Sequence, residues 1–145
     1  MSTPERVLVA LDGSDQSAAG LEYAADTYTD ATIVCFHAID PFDRDPEDAT
    51  AEPLTEEWLE VERERVETVF DRALERTSLA EDDGRVEREA IVGQPAESIV
   101  AYAEEEAIDH VVVGSVGRGG ASRLQLGSVA ELVVRRSPVP VTVVR

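Results

Sequence analysis

The segment 114–128, GSVGRGGASRLQLGS, combines residue types that can bind a phosphate group. It holds five glycines, three serines and two arginines, and no acidic residue. Glycines let backbone N–H groups approach an anion closely, and successive N–H groups can form a concave anion site. The segment follows a predicted strand and leads into a predicted helix, whose free N–H groups and dipole favour negative charge. This order of elements predicts a phosphate-binding loop.

Two features of this loop have alternative interpretations. Ser128 can contribute its backbone N–H to a phosphate, but Ser128 and Glu131 also have the spacing of a capping box, in which the serine would start the helix. The side chains of Arg118 and Arg123 can close over the outer phosphates or point to solvent. The sequence leaves both choices open.

The distribution of charge supports an anionic ligand. The 145-residue chain carries 31 acidic and 13 basic residues, a net charge of −18, yet residues 111–130 contain no acid. The net charge argues against DNA or RNA as a partner, because phosphates would be repelled. Every basic residue is an arginine, so a Walker A lysine and a pyridoxal phosphate Schiff base are both excluded. The acidic surface resembles that of haloarchaeal cytoplasmic proteins, whose carboxylates stay hydrated in strong salt.

Other residues that could do chemistry offer weaker patterns. His37 and His110 have no cysteine or acidic partner at metal-ligand spacing, which favours structural roles. No Ser-His-Asp arrangement is visible, and no catalytic residue is predicted. Cys35 lies within an apolar run and is expected to be a buried small hydrophobe.

The elements that must position the loop alternate along the chain. Five apolar runs are predicted to be strands, and the segments between them have helical spacing of apolar residues or helix-start signals. Continuous apolar strands that alternate with amphipathic helices predict an α/β fold, a single five-stranded parallel sheet with helices on both faces. No internal repeat or change of composition divides the chain, so one domain over residues 1–145 is expected. The predicted strands are Arg6–Leu11, Ala31–Ile39, Arg85–Val92, Asp109–Gly114 and Val139–Val144.

The glycine spacing resembles that of a known family. Gly114-x2-Gly117-x9-Gly127-Ser128 is similar to the G-x2-G-x9-G-[ST] motif of the ATP-binding branch of the universal stress protein family. The segments VLVALDGSDQSAAGLEYA, IVCFHAID and VPVTVVR resemble the first strand and helix, the second strand and the last strand of that family. The resemblance implies a Rossmann-like fold, similar to the adenine nucleotide alpha hydrolases, with strand order 3-2-1-4-5.

The resemblance also implies a set of ATP-binding residues. Backbone at Ala10 and Ala38 would line the adenine pocket, and Asp12 would lie near the ribose and phosphates with a possible Mg²⁺ or Mn²⁺. From the residues alone, Asp12 fits a turn-capping role before Gly13 equally well. Ala38 is smaller than the valine that the family often has there, which leaves more room for the base. The loop and helix residues implied in binding ribose and phosphates are Gly114, Ser115, Val116, Gly117, Arg118, Gly119, Gly120, Gly127, Ser128, Val129 and Ala130.

These observations lead to two hypotheses about function. The first is a regulatory module of a stress response that binds ATP and acts on an unknown protein partner. The alternative is a slow ATPase or a phosphotransferase that acts on itself or a partner, since Asp12 with a metal could align a water. The resemblance further implies a homodimer through Val139–Val144, an apolar strand at a sheet edge. No run approaches the ~20 apolar residues of a membrane span and no signal peptide is evident, so a cytoplasmic protein without a membrane partner is expected.

Overall fold

The computed structural model describes residues 4–42, 52–79, 84–116 and 126–145. Within these ranges strands and helices alternate, as the apolar pattern predicted. The elements are β1 (Arg6–Ala10), α1 (Asp15–Thr27), β2 (Thr32–Ile39), α2 (Glu56–Glu75), β3 (Val86–Val92), α3 (Pro95–Glu105), β4 (His110–Gly114), α4 (Ser128–Arg136) and β5 (Val141–Val144).

The five strands form one sheet in the order β3-β2-β1-β4-β5. Every pair of neighbouring strands is parallel, so the predicted fold and strand order are confirmed. The chain winds outward from β1 to β3 on one side and from β4 to β5 on the other. The direction reverses between β1 and β4, and in open sheets of this kind ligands bind in the crevice outside the carboxyl ends of the strands at that point.

Both faces of the sheet are covered, which explains why the strands are apolar without interruption. Side chains alternate between faces along each strand. Val7 and Val9 of β1 belong to the core beneath α1 and α2, whereas Leu8 belongs to the core beneath α3 and α4. Cys35 is 0% exposed in the first of these cores, and burial raises the pKa of its thiol to about 12. The expectation of a buried, unreactive cysteine is therefore confirmed.

The last strand is shorter than predicted. The prediction began it at Val139, but β5 covers only Val141–Val144. The Ser137 hydroxyl donates to the Val139 carbonyl (2.8 Å) and accepts from its N–H (3.2 Å). This local turn occupies the polar groups of Val139, and pairing with β4 begins at the Pro140 carbonyl, which accepts from Val111 N–H (3.0 Å). The Val139 side chain still packs into the core beneath α3 and α4.

His110 lies at the start of β4, where its side chain joins two other elements. Its Nε2 is 2.7 Å from the Thr142 hydroxyl of β5 and 3.3 Å from the Tyr28 hydroxyl. The Tyr28 and His110 rings also contact each other, with centroids 5.2 Å apart. The predicted structural role of this histidine agrees with these contacts.

Folding stability should depend on pH through His110. Burial lowers the pKa of this imidazole below its ordinary value of 6.5, so below about pH 6.5 the unfolded chain binds a proton that the folded chain excludes. The contribution of His110 to the free energy of unfolding is therefore greatest above that pH. It decreases as the pH falls toward the pKa of His110 in the folded chain. Denaturant unfolding at about pH 7.5 and about pH 5.5 should show a larger loss of stability in the wild type than in His110→Asn. The same pH dependence in both proteins would contradict this assignment.

Each helix in the described part of the chain is too short or too polar to span a bilayer.

Candidate functional site

A cavity of about 470 Å³ opens at the carboxyl ends of β1, β2 and β4. It lies at the point where the winding direction reverses, and its walls are completed by Glu62 of α2 and by residues at or next to the first turns of α1, α3 and α4. Gly117, Arg118, Gly119 and Gly120 lie outside the described residues. All the other predicted binding residues line the cavity: Ala10, Asp12, Ala38, Gly114, Ser115, Val116, Gly127, Ser128, Val129 and Ala130.

The first glycine of the motif has a packing reason to be glycine. The first turn of α1 crosses the end of β4 so closely that a Cβ added to Gly114 would lie 3.0 Å from the Gln16 carbonyl carbon, the Gln16 Cβ and the Ser17 backbone nitrogen. Two of these atoms belong to the helix backbone and cannot rotate away. Gly114 therefore allows the N-terminus of α1 to reach the cavity.

Hydrogen bonds hold the two ends of the glycine-rich segment together. Gly127 N–H donates to the Ser115 carbonyl (2.7 Å), and Ser115 N–H donates to the Val144 carbonyl (2.8 Å). The chain thus leaves β4 and returns to begin α4 at the same place. This fixes the start of α4 against the carboxyl end of β4.

The interpretation of Ser128 as a helix cap is wrong by one residue. Gly127 is the N-cap, with extended backbone angles (φ −64°, ψ 159°) and no side-chain cap. Its carbonyl accepts from Glu131 N–H (3.0 Å), and the Glu131 carboxylate pairs with Arg135 (2.9 Å) instead of returning to the cap. Because the first N–H groups of a helix have no partner within it, those of Ser128, Val129 and Ala130 are available at the cavity wall.

Asp12 has the turn-capping role that was one of its two interpretations. Its Oδ1 accepts from Ser14 N–H (2.9 Å), across a turn in which Gly13 has a positive φ of 89°. Ser17, which is 4% exposed, accepts from Asp12 N–H through its hydroxyl (3.3 Å). Asp12 nevertheless lines the cavity, so the turn holds the carboxylate at a fixed position beside it.

The sequence analysis missed four polar residues of the cavity wall: Ser17, His37, Asp40 and Glu62. Asp40 directly follows β2, a position at the ligand-binding edge of a parallel sheet, and could have been found by that signal. Glu62 comes from α2, and no spacing in the sequence connects it to the site. His37 Nδ1 lies 2.6 Å from the Leu11 carbonyl.

The described walls of the cavity differ in character. Pro95, Ile99 and Val113 contribute apolar surface, which suits a flat, uncharged ring. The polar wall carries the carboxylates of Asp12, Asp40 and Glu62, and no arginine is among the described lining residues. No cluster of three potential metal ligands occurs among the residues that the structure describes. Among the described parts of the cavity wall, the N-termini of the helices are the source of positive potential.

The model of the universal stress protein family matches residues 4–145. The chain belongs to the universal stress protein family. A universal stress protein of Thermus aquaticus is 35% identical over 141 residues, which cover 96% of this chain and 97% of that protein. The solved structure of the Methanocaldococcus jannaschii protein MJ0577 superposes with a TM-score of 0.78 at 27% identity, covering 99% of this chain and 96% of that one. A solved universal stress protein in complex with cAMP gives a TM-score of 0.67 at 26% identity, covering 99% and 98%.

Proposed function

We propose that this universal stress protein binds an adenine nucleotide, ATP with Mg²⁺ or Mn²⁺, and acts as a regulatory module in a stress response. The observation that carries the proposal is the start of α4, where three backbone N–H groups without helical partners border a cavity that also has apolar lining residues. Free N–H groups at a helix N-terminus favour phosphate, and the apolar wall suits a purine. The cAMP complex of a relative supports a nucleotide in this family.

Each binding residue has a proposed place along the nucleotide. The base lies against backbone at Ala10 and Ala38, and Gly114 begins the segment around ribose and phosphates. The N–H groups of Ser128, Val129 and Ala130 donate to the outer phosphates. The proposed binding residues thus continue from the glycine-rich segment through Gly127 into the first turn of α4. Arg118, with Gly117, Gly119 and Gly120, would complete the phosphate site from outside the described residues.

The described residues fit a metal that arrives with the nucleotide. Mg²⁺ usually keeps several waters and binds through one or two carboxylates together with phosphate oxygens. Asp12 is such a carboxylate, because one oxygen is used in its turn and the second can face a ligand. The bound metal would neutralise phosphate charge, and Asp12 would orient it. Because the described polar wall is acidic, the metal should strengthen the binding of ATP.

We place regulation ahead of catalysis, with slow ATPase or phosphotransferase activity as the alternative. Incubation with ATP and Mg²⁺ in molar KCl, followed by chromatography of the nucleotides, distinguishes the two. We expect ATP to be bound and recovered intact. Conversion to ADP well above that of a variant that does not bind ATP would favour the enzyme.

We also propose a homodimer through the outer edge of β5. This strand pairs with β4 on one side only and ends the sheet, and open apolar edges promote association. Light scattering in molar KCl should give the mass of two chains, and a monomer would overturn this part. One domain over residues 1–145, a haloarchaeal surface and a cytoplasmic location stay predictions.

A further inference from the structure

The ladder between β1 and β2 changes its hydrogen-bond pattern where it reaches the cavity. Ala10 pairs with Phe36, and Leu11 N–H continues the ladder by donating to the Phe36 carbonyl (2.8 Å). In a regular parallel ladder the Leu11 carbonyl would next accept from Ala38 N–H. In this chain the Leu11 carbonyl is 2.6 Å from the Nδ1 of His37. Ala38 N–H faces the same side of β2 as the Phe36 carbonyl, toward β1, but it does not donate to the Leu11 carbonyl.

The partner of His37 defines the protonation of its ring. A backbone carbonyl can only accept, so Nδ1 carries the hydrogen and donates it to Leu11. In the neutral imidazole Nε2 is then an acceptor. His37 is half-buried and lines the cavity together with Leu11 and Ala38, so this exchange of donors takes place at the cavity wall.

We propose that His37 is a positioning residue, which occupies the Leu11 carbonyl so that Ala38 N–H stays free to donate to the nucleotide base. A backbone N–H left without a partner is costly when buried, and a ring nitrogen of a purine is an acceptor that would satisfy it. The ligand feature that His37 selects is therefore an acceptor nitrogen in the base. This inference rests on the proposed nucleotide binding, but the His37 contact itself can be tested without a ligand.

The first test measures the free protein by NMR. In the wild type the His37 ring should be the Nδ1–H tautomer at neutral pH, and Ala38 N–H should exchange with solvent much faster than the amides of the β1–β2 ladder. In His37→Leu the Ala38 amide should donate to the Leu11 carbonyl and exchange at about one tenth of its wild-type rate or more slowly. His37→Asn is the matched control, because its side-chain amide can replace Nδ1 as donor, and it should behave like the wild type. An Nε2–H tautomer, or a protected Ala38 amide in the wild type, would overturn the proposal.

The second test compares ATP with its 1-deaza, 3-deaza and 7-deaza analogues. In the wild type one analogue should bind about tenfold more weakly than ATP, because it lacks the acceptor for Ala38 N–H. That difference should disappear in His37→Leu, through weaker binding of ATP itself, and persist in His37→Asn. Equal affinities in the wild type, or the same discrimination in His37→Leu, would overturn the role of His37. If the wild type binds no ATP, the proposed function fails, while the NMR experiment still decides the contact.

Discussion

Replacing Val129 by aspartate should abolish ATP binding and leave α4 folded. Val129 is the second residue of α4, 37% exposed, and it lines the cavity. A carboxylate in the first helical turn is stabilised by the helix dipole by about 0.3–1 kcal/mol, so the helix should tolerate it. The same charge would lie against the bound phosphates, where a like charge a few ångströms away costs several kcal/mol. We expect a loss of affinity of about a hundredfold or more by calorimetry.

Val134→Asp is the matched control on the same helix. Val134 is 47% exposed, lies near the end of α4 and is not part of the cavity wall. The dipole disfavours an acid there, so this variant should unfold at a lower temperature than Val129→Asp while it binds ATP like the wild type. ATP binding that survives in Val129→Asp would mean that the phosphates do not reach α4.

Two glycine-to-alanine substitutions should change stability in opposite directions. At Gly114 the new methyl group would lie 3.0 Å from backbone atoms of α1, and crowding of this kind costs about 1–3 kcal/mol. At Gly20, inside α1, the methyl group would lie 3.4 Å from Val112 Cγ1, an ordinary contact. Alanine in a helix interior is about 0.5–1 kcal/mol more favourable than glycine, so Gly20→Ala should be more stable.

Denaturant unfolding of the two variants measures this difference, and ATP titration adds a second readout. Gly114→Ala should also bind ATP less well, since the start of α1 must move and carries Asp12 with it. Gly20→Ala should bind normally. A Gly114→Ala protein as stable as the wild type would show that α1 does not approach β4 so closely.

The sheet was predictable because its strands are buried on both faces. Such strands are continuous apolar runs, and runs like Val111–Val113 stand out against an otherwise acidic chain. The ends of the elements were less accurate, since they depend on single hydrogen bonds. The Ser137 turn delays β5 by two residues, and the extended backbone of Gly127 makes it the cap in place of Ser128. A sequence pattern does not contain these local geometries.

The site was predictable where residues directly follow strands. Asp12 lies just after β1 and Gly114 ends the neighbouring parallel strand β4, so their meeting follows from the strand order. His37 is different, because its partner is a backbone carbonyl 26 residues away. Every residue has such a carbonyl, so residue types in the sequence do not indicate which one His37 contacts. Glu62 reaches the cavity through the packing of α2. The helical pattern predicts which side chains of α2 are buried or exposed, but not which of them lie at the cavity.

Calorimetric titration of ATP into the wild-type protein in molar KCl, with and without Mg²⁺, tests the central claim most directly. The proposed nucleotide site predicts saturable binding of one ATP per chain that becomes tighter with Mg²⁺ and is lost in Val129→Asp. A folded wild-type protein that shows no saturable binding under either condition would contradict it. Gly114 and Gly127 would then serve only the packing of α1 and the start of α4.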